Sequence, residues 1–588
     1  MSERRILASL TTAIALFTIA ACSSGGGGDS SPPPPAADTT LPTVSSVGVP
    51  SDATLNRTVT LTATASDNVG VTEVQFFVDD TLLGSDATSP YSFEWDTSTT
   101  TDGDHVLRAE ARDAAGNVAV SADLNVSVLN VLQFLLAATG EEVMPPTDSQ
   151  GSAQVDVTVN LATGEVSGSV TVSSITPTAA HIHDGFAGTN GGVVIGLDQD
   201  GTNPQLFTVP ATATLDAAGV ERLLAGGLYV NVHTAAAPTG EIRGQLLTAD
   251  FVLRFSNLSS GETVPAIDSP ASGRAAITLN TVTGALVVQA RITGLDSASA
   301  AHVHEAYAGN AGPVLVGLAQ DGADPGRWFV EDATLNDAGL DAFAAGRLYV
   351  NVHSPANPGG EIRGQVVPDG IEVIHTLLSG SQSVPPVDTT ASGRAAVTLD
   401  TAGQSVTMHI NTAGLADATG AHLHGAYGGV TGGVEVGLAQ DGSNPAHWFV
   451  EEQALDAAQV EAIHAGATYL NVHTPAFGAG EVRGQVIPGG IEFAFGLFDG
   501  SEVIPPINTD AAGALAVTVD PVAMSLVAHV NTIGADDATA AHLHEAYAGA
   551  AGGVAIPLVQ DATTLSRWSA EVGSLTNDQL AAFREGRL

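Results

Sequence analysis

The chain reads as all-β, with tandem antiparallel β-sandwich or β-barrel domains in which a shorter N-terminal domain precedes four longer units, each carrying one short helix. Three observations predict this. Gly is abundant (66 residues) and aromatics are few (5%), while Val, Thr and Ala dominate the patterned stretches, which suits sheet and tight turns better than helix bundles. Apolar residues recur at every second position over runs of five to nine, the period of a half-buried strand. A His-x-His segment returns at His181, His302, His422 and His542, giving periods of 121, 120 and 120 residues. That length is a whole domain, so the units are beads on a string and not turns of a solenoid.

At 588 residues the chain exceeds a single hydrophobic core. The formal charge is −45, from 63 acidic and 18 basic residues, and every basic residue is Arg. So acidic a surface repels phosphate backbones, which excludes a nucleic-acid partner. The one cysteine, Cys22, forbids an intrachain disulfide. Arg4 and Arg5 precede an apolar run from Ile6 to Ile19, too short and too early for a mature span, and therefore read as a secretory signal. The run ends in Ile19-Ala20-Ala21-Cys22, which resembles the lipobox of bacterial lipoproteins. That resemblance implies removal of residues 1–21, lipidation of Cys22 and membrane attachment. Ser23 at the next position implies an outer-membrane destination, periplasmic or surface-facing. Residues 22–40 then form a Gly/Ser/Pro tether, unable to bury apolar surface.

Residues 41–130 show about seven short alternating strands, as in VTLTATASDNVGV and DHVLRAEARDAAGNVAV, the pattern of a sandwich. The segments Ser66-Asp67-Asn68-Val69-Gly70, Val78-Asp79-Asp80, Trp95-Asp96 and Asp113-Ala114-Ala115-Gly116-Asn117 resemble bacterial immunoglobulin-like domains of surface proteins. Their aspartates either make turns or supply oxygen ligands to calcium, although the spacing matches no defined calcium loop.

The four longer units span 131–249, 250–369, 370–489 and 490–588. Each opens on a strand and a proline turn, such as GSQSVPP at Gly380, and continues through two alternating strands to the His-x-His strand and a glycine-rich loop. An amphipathic stretch such as LDAAQVEAIHAG has helical spacing, and strands such as TYLNVHT and GEVRGQV close the unit. The combination of SVPP, AHLH, YLNVH and GEVRGQ, repeated as AHIH, LYVNVH and GEIRGQ and as AHVH, LYVNVH and GEIRGQ, resembles the CHRD domain of chordin and of bacterial secreted proteins. The resemblance implies an extracellular setting and, from chordin, binding of ligands; it implies no established activity for bacterial members.

Residues two apart on a strand share a face. In the third unit His422 and His424 share one, Tyr469, Asn471 and His473 another, and Glu481, Arg483 and Gln485 a third. If the strands adjoin, three imidazoles, an Asn and a Glu–Arg pair meet, and the same holds for His181, His183, His233, Glu241 and Arg243 and for His302, His304, His353, Glu361 and Arg363. Such a set either holds copper or zinc on three imidazoles or forms a hydrogen-bonded network with a Glu–Arg ion pair fixing the last strand. The His-x-His strand is also similar to the copper strand of copper-zinc superoxide dismutases, but that enzyme's disulfide and zinc-loop histidines are missing here. His105, His375, His409, His447, His464 and His529 do not recur in every unit and read as surface or strand residues.

The fourth unit keeps His542 and His544 and stops at Leu588, the counterpart of Leu348, before the tyrosine–asparagine–histidine strand. Either the chain is a piece of a longer protein or this unit has open sheet edges. With no thiol nucleophile, GxSxG or phosphate loop, the sequence predicts no enzyme. The expectation is a lipid-anchored envelope protein whose repeats bind extracellular protein or glycan partners, or act as spacers. The alternative is metal binding or metal-dependent redox chemistry on the histidines.

Overall fold

The computed structural model describes residues 37–588 apart from residue 536. The expected secretory signal, Cys22 and most of the expected tether lie outside the described residues. The fold is all-β, and its contacts separate a first unit ending at Asn130 from a second running from Val131 to Leu588.

In the first unit, one sheet orders Ala53–Leu55, Leu124–Val128, Gly103–Asp113, Val71–Val78 and Thr81–Asp86, while Thr58–Ala63 pairs with Tyr91–Asp96 as a separate ladder. The alternation seen in the sequence becomes the core: Leu61, Val74, Phe76, Trp95, Leu107 and Ala109 are buried. This is the expected immunoglobulin-like sandwich.

In the third repeat, eight strands close into a barrel in the order Ile371–Ser379, Ser392–Asp400, Ser405–Ala413, His447–Ala454, Gly433–Gln440, Gly420–Gly425, Thr468–His473 and Val482–Val486. The last strand returns to the first through Ser379 opposite Arg483. Leu423, Leu470, Val472 and Val482 all point inward, as their alternation with polar residues requires, and each is at most 1% exposed. Burial of one such side chain stabilises the barrel by roughly 1.5–3 kcal/mol. The helix Ala457–His464 begins where Asp456 and Gln459 form a reciprocal capping box. It ends at Ala465 before Gly466, whose positive φ reverses the chain into the next strand.

The second repeat closes in the same order. In the first, the strand that should bridge the His-x-His strand to the far side is interrupted at Leu197, leaving Val193–Gly196 and Asp198–Gln199 as the two ends of a nine-stranded sheet. In the fourth, six strands follow the same path, from Glu492–Asp499 to Ala541–Glu545.

Successive repeats are joined by the glycine-rich loop that follows each His-x-His strand. Gly309 of the second repeat seats on the third, where Asn411 donates to its carbonyl at 2.8 Å. Asn531 does the same to Gly429 at 2.7 Å. An added Cβ on Gly309 would lie 3.0 Å from that of His409, so these loops dock by backbone.

Candidate functional site

The His-x-His strand is central in its sheet, hydrogen-bonded on one side to Thr468–His473 and on the other to Gly433–Gln440. On the first side His422 faces Asn471, His424 faces Tyr469, and Gly420 faces His473. On the second, a register shift between Leu423 and His424 forms a bulge, which re-aims the histidine side chain. His422, His424 and His473 therefore converge diagonally across two strands, with ring centroids 4.9 to 5.9 Å apart. One nitrogen from each ring lies within 4.8 Å of the other two, and the first and second repeats assemble His181, His183, His233 and His302, His304, His353 to the same tolerance.

The hydrogen bonds decide which nitrogens are available. His424 Nδ1 bonds the Gly432 carbonyl and His473 Nδ1 the Gly478 carbonyl, both at 3.1 Å. A carbonyl only accepts, so both rings carry their proton on Nδ1 and turn an Nε2 lone pair inward. His424 Nε2, His473 Nε2 and His422 Nδ1 are buried with no hydrogen-bond partner, as are His304 Nε2, His353 Nε2 and His302 Nδ1. In the first repeat His183 Nε2 is likewise unpartnered, while His181 Nδ1 lies 3.0 Å from His233 Nε2. Burial holds the pKa of His422 and His424 below the usual imidazole value, so these rings favour the neutral, ligating form. Three imidazoles without a carboxylate or thiolate fit a zinc or copper ion with an open position, and suit calcium or magnesium poorly.

A layered support stands behind the cluster. The Tyr469 ring stacks on His424 at 4.9 Å and 8°, and its hydroxyl accepts from the Gly432 amide at 3.1 Å, clamping the same peptide that orients His424. Beyond Tyr469, the Arg483 guanidinium lies 3.4 Å from the ring centroid. It donates to the carbonyls of Val430 and Tyr427 and to Gln485 Oε1, at 2.7, 3.0 and 3.1 Å. Burial pushes the Arg483 guanidinium down to about 10. Arg243 and Arg363 stack on Tyr229 and Tyr349 in the same way.

The Glu–Arg ion pairs expected at 241/243, 361/363 and 481/483 do not form. Glu481 accepts instead from Thr389 and Thr474, each at 2.7 Å, while Arg483 extends under the tyrosine to the loop carbonyls. Glu361 bonds Ser269 and Ser354 at 2.6 Å, and Glu241 bonds Ser149 and Thr234. The two side chains serve different loops, and hydroxyls satisfy the carboxylate without the cation.

Asn471 faces His422 across the strands, and its Oδ1 is buried without a hydrogen-bond partner, as are those of Asn231 and Asn351. It donates to the Ala479 carbonyl at 3.0 Å and holds the turn at Gly480, whose φ of +112° and contact with Asn471 leave no room for a side chain.

Two features escaped the sequence. The residue that accepts from the Gln245, Gln365 or Gln485 amide beside the buried arginine is Glu142 in the first repeat, Glu262 in the second and Gln382 in the third. Burial raises the carboxyl pKa of Glu142 and Glu262 to about 7, partly offset by the neighbouring Arg243 or Arg363. Its position in the proline turn, about 100 residues from the strand it touches, gave no signal. Secondly, His409, expected on the surface or on a strand, lies on the strand Ser405–Ala413 and is wholly buried, with Nδ1 3.0 Å from His447 Nε2, and His447 Nδ1 is 3.1 Å from Asp441.

In the first unit Asp38, Asp67 and Asp113 bring carboxylate oxygens within 4.8 Å of one another. Asp79, Asp80 and Asp96 are engaged elsewhere, with His105, Arg108 and the Ser98 amide respectively. Of the turn aspartates, then, only Asp67 and Asp113 share a locus suited to calcium, and Asp38, within the expected tether, joins them.

Comparison with known proteins accords with this architecture. A bacterial Ig domain model matches residues 42–109. Fibronectin(III)-like modules of Clostridium thermocellum CbhA are 26% identical over 15% of this chain and 94% of theirs. The endo-beta-1,4-mannanase of Thermotoga petrophila is 21% identical over 16% of this chain and 21% of its own. Bacteroides ovatus SGBP-B, solved with a mixed-linkage heptasaccharide, is 11% identical over 76% of this chain and 99% of its own. Each has a TM-score of 0.14, at which the likeness carries no argument. A comparison with curated proteins found no match. The CHRD domain model matches four times, over residues 134–246, 255–366, 374–486 and 494–588, and the chain belongs to the CHRD domain family.

Proposed function

We propose that this is a cell-envelope binding protein, tethered by lipid at Cys22, whose first three CHRD repeats each hold one zinc or copper ion on three imidazoles. The observation that carries this reading is the set of buried ring nitrogens without partners, His422 Nδ1, His424 Nε2 and His473 Nε2, repeated in kind at His302, His304 and His353. An unpaired buried acceptor costs about 1–3 kcal/mol, and in these repeats three ring nitrogens of that kind converge. In the third repeat His424 and His473 turn their bonded nitrogens outward to carbonyls, and the unpartnered nitrogens of all three rings converge, an arrangement a cation satisfies. The open position leaves room for water or a small ligand. The function proposed is binding.

A second, compatible role as a spacer is favoured by the joints between repeats, in which the Gly309 and Gly429 loops seat on the repeat that follows. The test of the first reading is elemental analysis of the full chain, stripped with chelator, exposed to zinc or copper and desalted. Three ions per chain are expected, falling to two when His424 and His473 are both replaced by Ala. A folded chain that retains no ion would overturn it.

A further inference from the structure

The three clusters have the same ligands but not the same charge behind them. In every complete repeat a buried arginine lies against the tyrosine that stacks on a cluster histidine: Arg363 is 3.5 Å from the Tyr349 ring centroid, and Tyr349 is 5.0 Å from His304. A cation fixed behind a ligand ring opposes a second cation in front of it, and burial weakens the screening. In the first two repeats a carboxylate sits beside that arginine: Glu142 Oε2 accepts from the Gln245 amide at 2.8 Å and Glu262 Oε2 from the Gln365 amide at 3.1 Å. In the third, Gln382 Oε1 accepts from the Gln485 amide at 3.2 Å. The hydrogen bond and side-chain length are retained, and one buried negative charge is lost; the third repeat has a carboxylate near His424, Glu435, but it is exposed and screened by solvent.

We propose that the residue at 142, 262 and 382 ranks the three sites, so that the third repeat binds a divalent cation more weakly than the first two. The proposal rests on the metal-binding reading above. Glu142 and Glu262 touch no ligand histidine; they are positioning residues that act through the charge of Arg243 and Arg363. One charge acting across two stacked rings in a partly buried setting is expected to change affinity by roughly three- to tenfold. The array would then fill in order as metal becomes available, the third repeat last.

The experiment uses full-length chains in which single His→Ala changes leave one complete cluster each, titrated with Zn2+ against a chromophoric chelator. The second site should bind about three- to tenfold more tightly than the third at pH 8. Gln382→Glu should close the gap, and Glu262→Gln should bring the second site down to the level of the third. The gap should also narrow from pH 8 to pH 6, as Glu262 takes up its proton around 7, a response that a merely structural glutamate would not produce. If Gln382→Glu fails to fold by circular dichroism, Glu262→Gln decides alone, because it removes a buried charge. Equal affinities at the second and third sites, or a gap that neither variant moves, would overturn the ranking while leaving the sites in place. Zinc absent from all three clusters would overturn the metal-binding reading and the ranking with it.

Discussion

The third repeat contains two groups of close histidines, and they have opposite fates. His424 and His473 give their outward nitrogens to loop carbonyls, and each of these rings, like His422, leaves an inward nitrogen unpaired. His409 and His447 bond to each other at 3.0 Å, Asp441 takes the far nitrogen of His447, and the far nitrogen of His409, without a hydrogen-bond partner, lies 3.5 Å from the Glu451 carboxylate. His409 also packs beneath the loop of the second repeat, 6.4 Å between its ring centroid and that of Tyr307. Proximity of imidazoles is therefore not enough to make a ligand set. What differs is the surroundings: loop carbonyls fix the tautomers of His424 and His473 around a common point, whereas carboxylates flank the His409–His447 pair.

The contrast can be broken most severely from behind the cluster. Arg483→Ala would strand the carbonyls of Tyr427 and Val430 and open a cavity under Tyr469, with an expected loss of about 3–5 kcal/mol in denaturant unfolding. An intact midpoint would show that the stacked arginine is not part of the scaffold.

Next, His409→Ala and His473→Ala should separate stability from binding. The buried His409 site should lose about 2–4 kcal/mol in thermal unfolding while all three ions are retained. His473, half-buried at the barrel rim, should cost under about 1 kcal/mol but reduce metal retention by one ion. The reverse pattern would exchange the roles assigned to the two groups.

Acid sharpens the same comparison. Burial, with His447 and Arg363 nearby, pushes His409 down to about 3 from an ordinary 6.5, although Glu451 lies 3.5 Å from its Nε2. The folded state thus favours the neutral ring. Its contribution to stability is present above pH 6.5 and is lost as pH falls from there towards 3, where the unfolded chain binds the extra proton. His409→Gln, which installs the residue found at Gln289 of the second repeat, should flatten that part of the melting-temperature profile. An unchanged slope would place the acid sensitivity elsewhere.

The smallest effect concerns the carboxylates that do not pair with arginine. Thr389→Val removes one hydroxyl from Glu481 and should cost about 0.5–1.5 kcal/mol, with no change in metal retained. A larger loss accompanied by metal release would tie Glu481 to the site.

Much of the architecture was legible because local periodicity and repetition report it directly. The 120-residue period located the four repeats, strand alternation separated Leu423 and Val472 from His424 and His473, and LDAAQVEAIHAG announced the helix through its spacing. The three histidines of each cluster could be named, since two lie on one strand and the third on a strand of recognisable sequence. Their function could not be chosen, because ligand set and polar network share the same residue types.

That choice depends on acceptors remote in sequence or carried by the backbone: the Gly432 and Gly478 carbonyls set the tautomers, and a bulge at His424 aims the ring. Glu241, Glu361 and Glu481 bond hydroxyls about 90 residues upstream, which strand spacing cannot reveal. Pattern along the chain determined which faces are apolar and which residues recur. Only the closed barrel decided the partner of each polar atom, because hydrogen bonding and charge act over a few ångströms of space irrespective of distance along the chain.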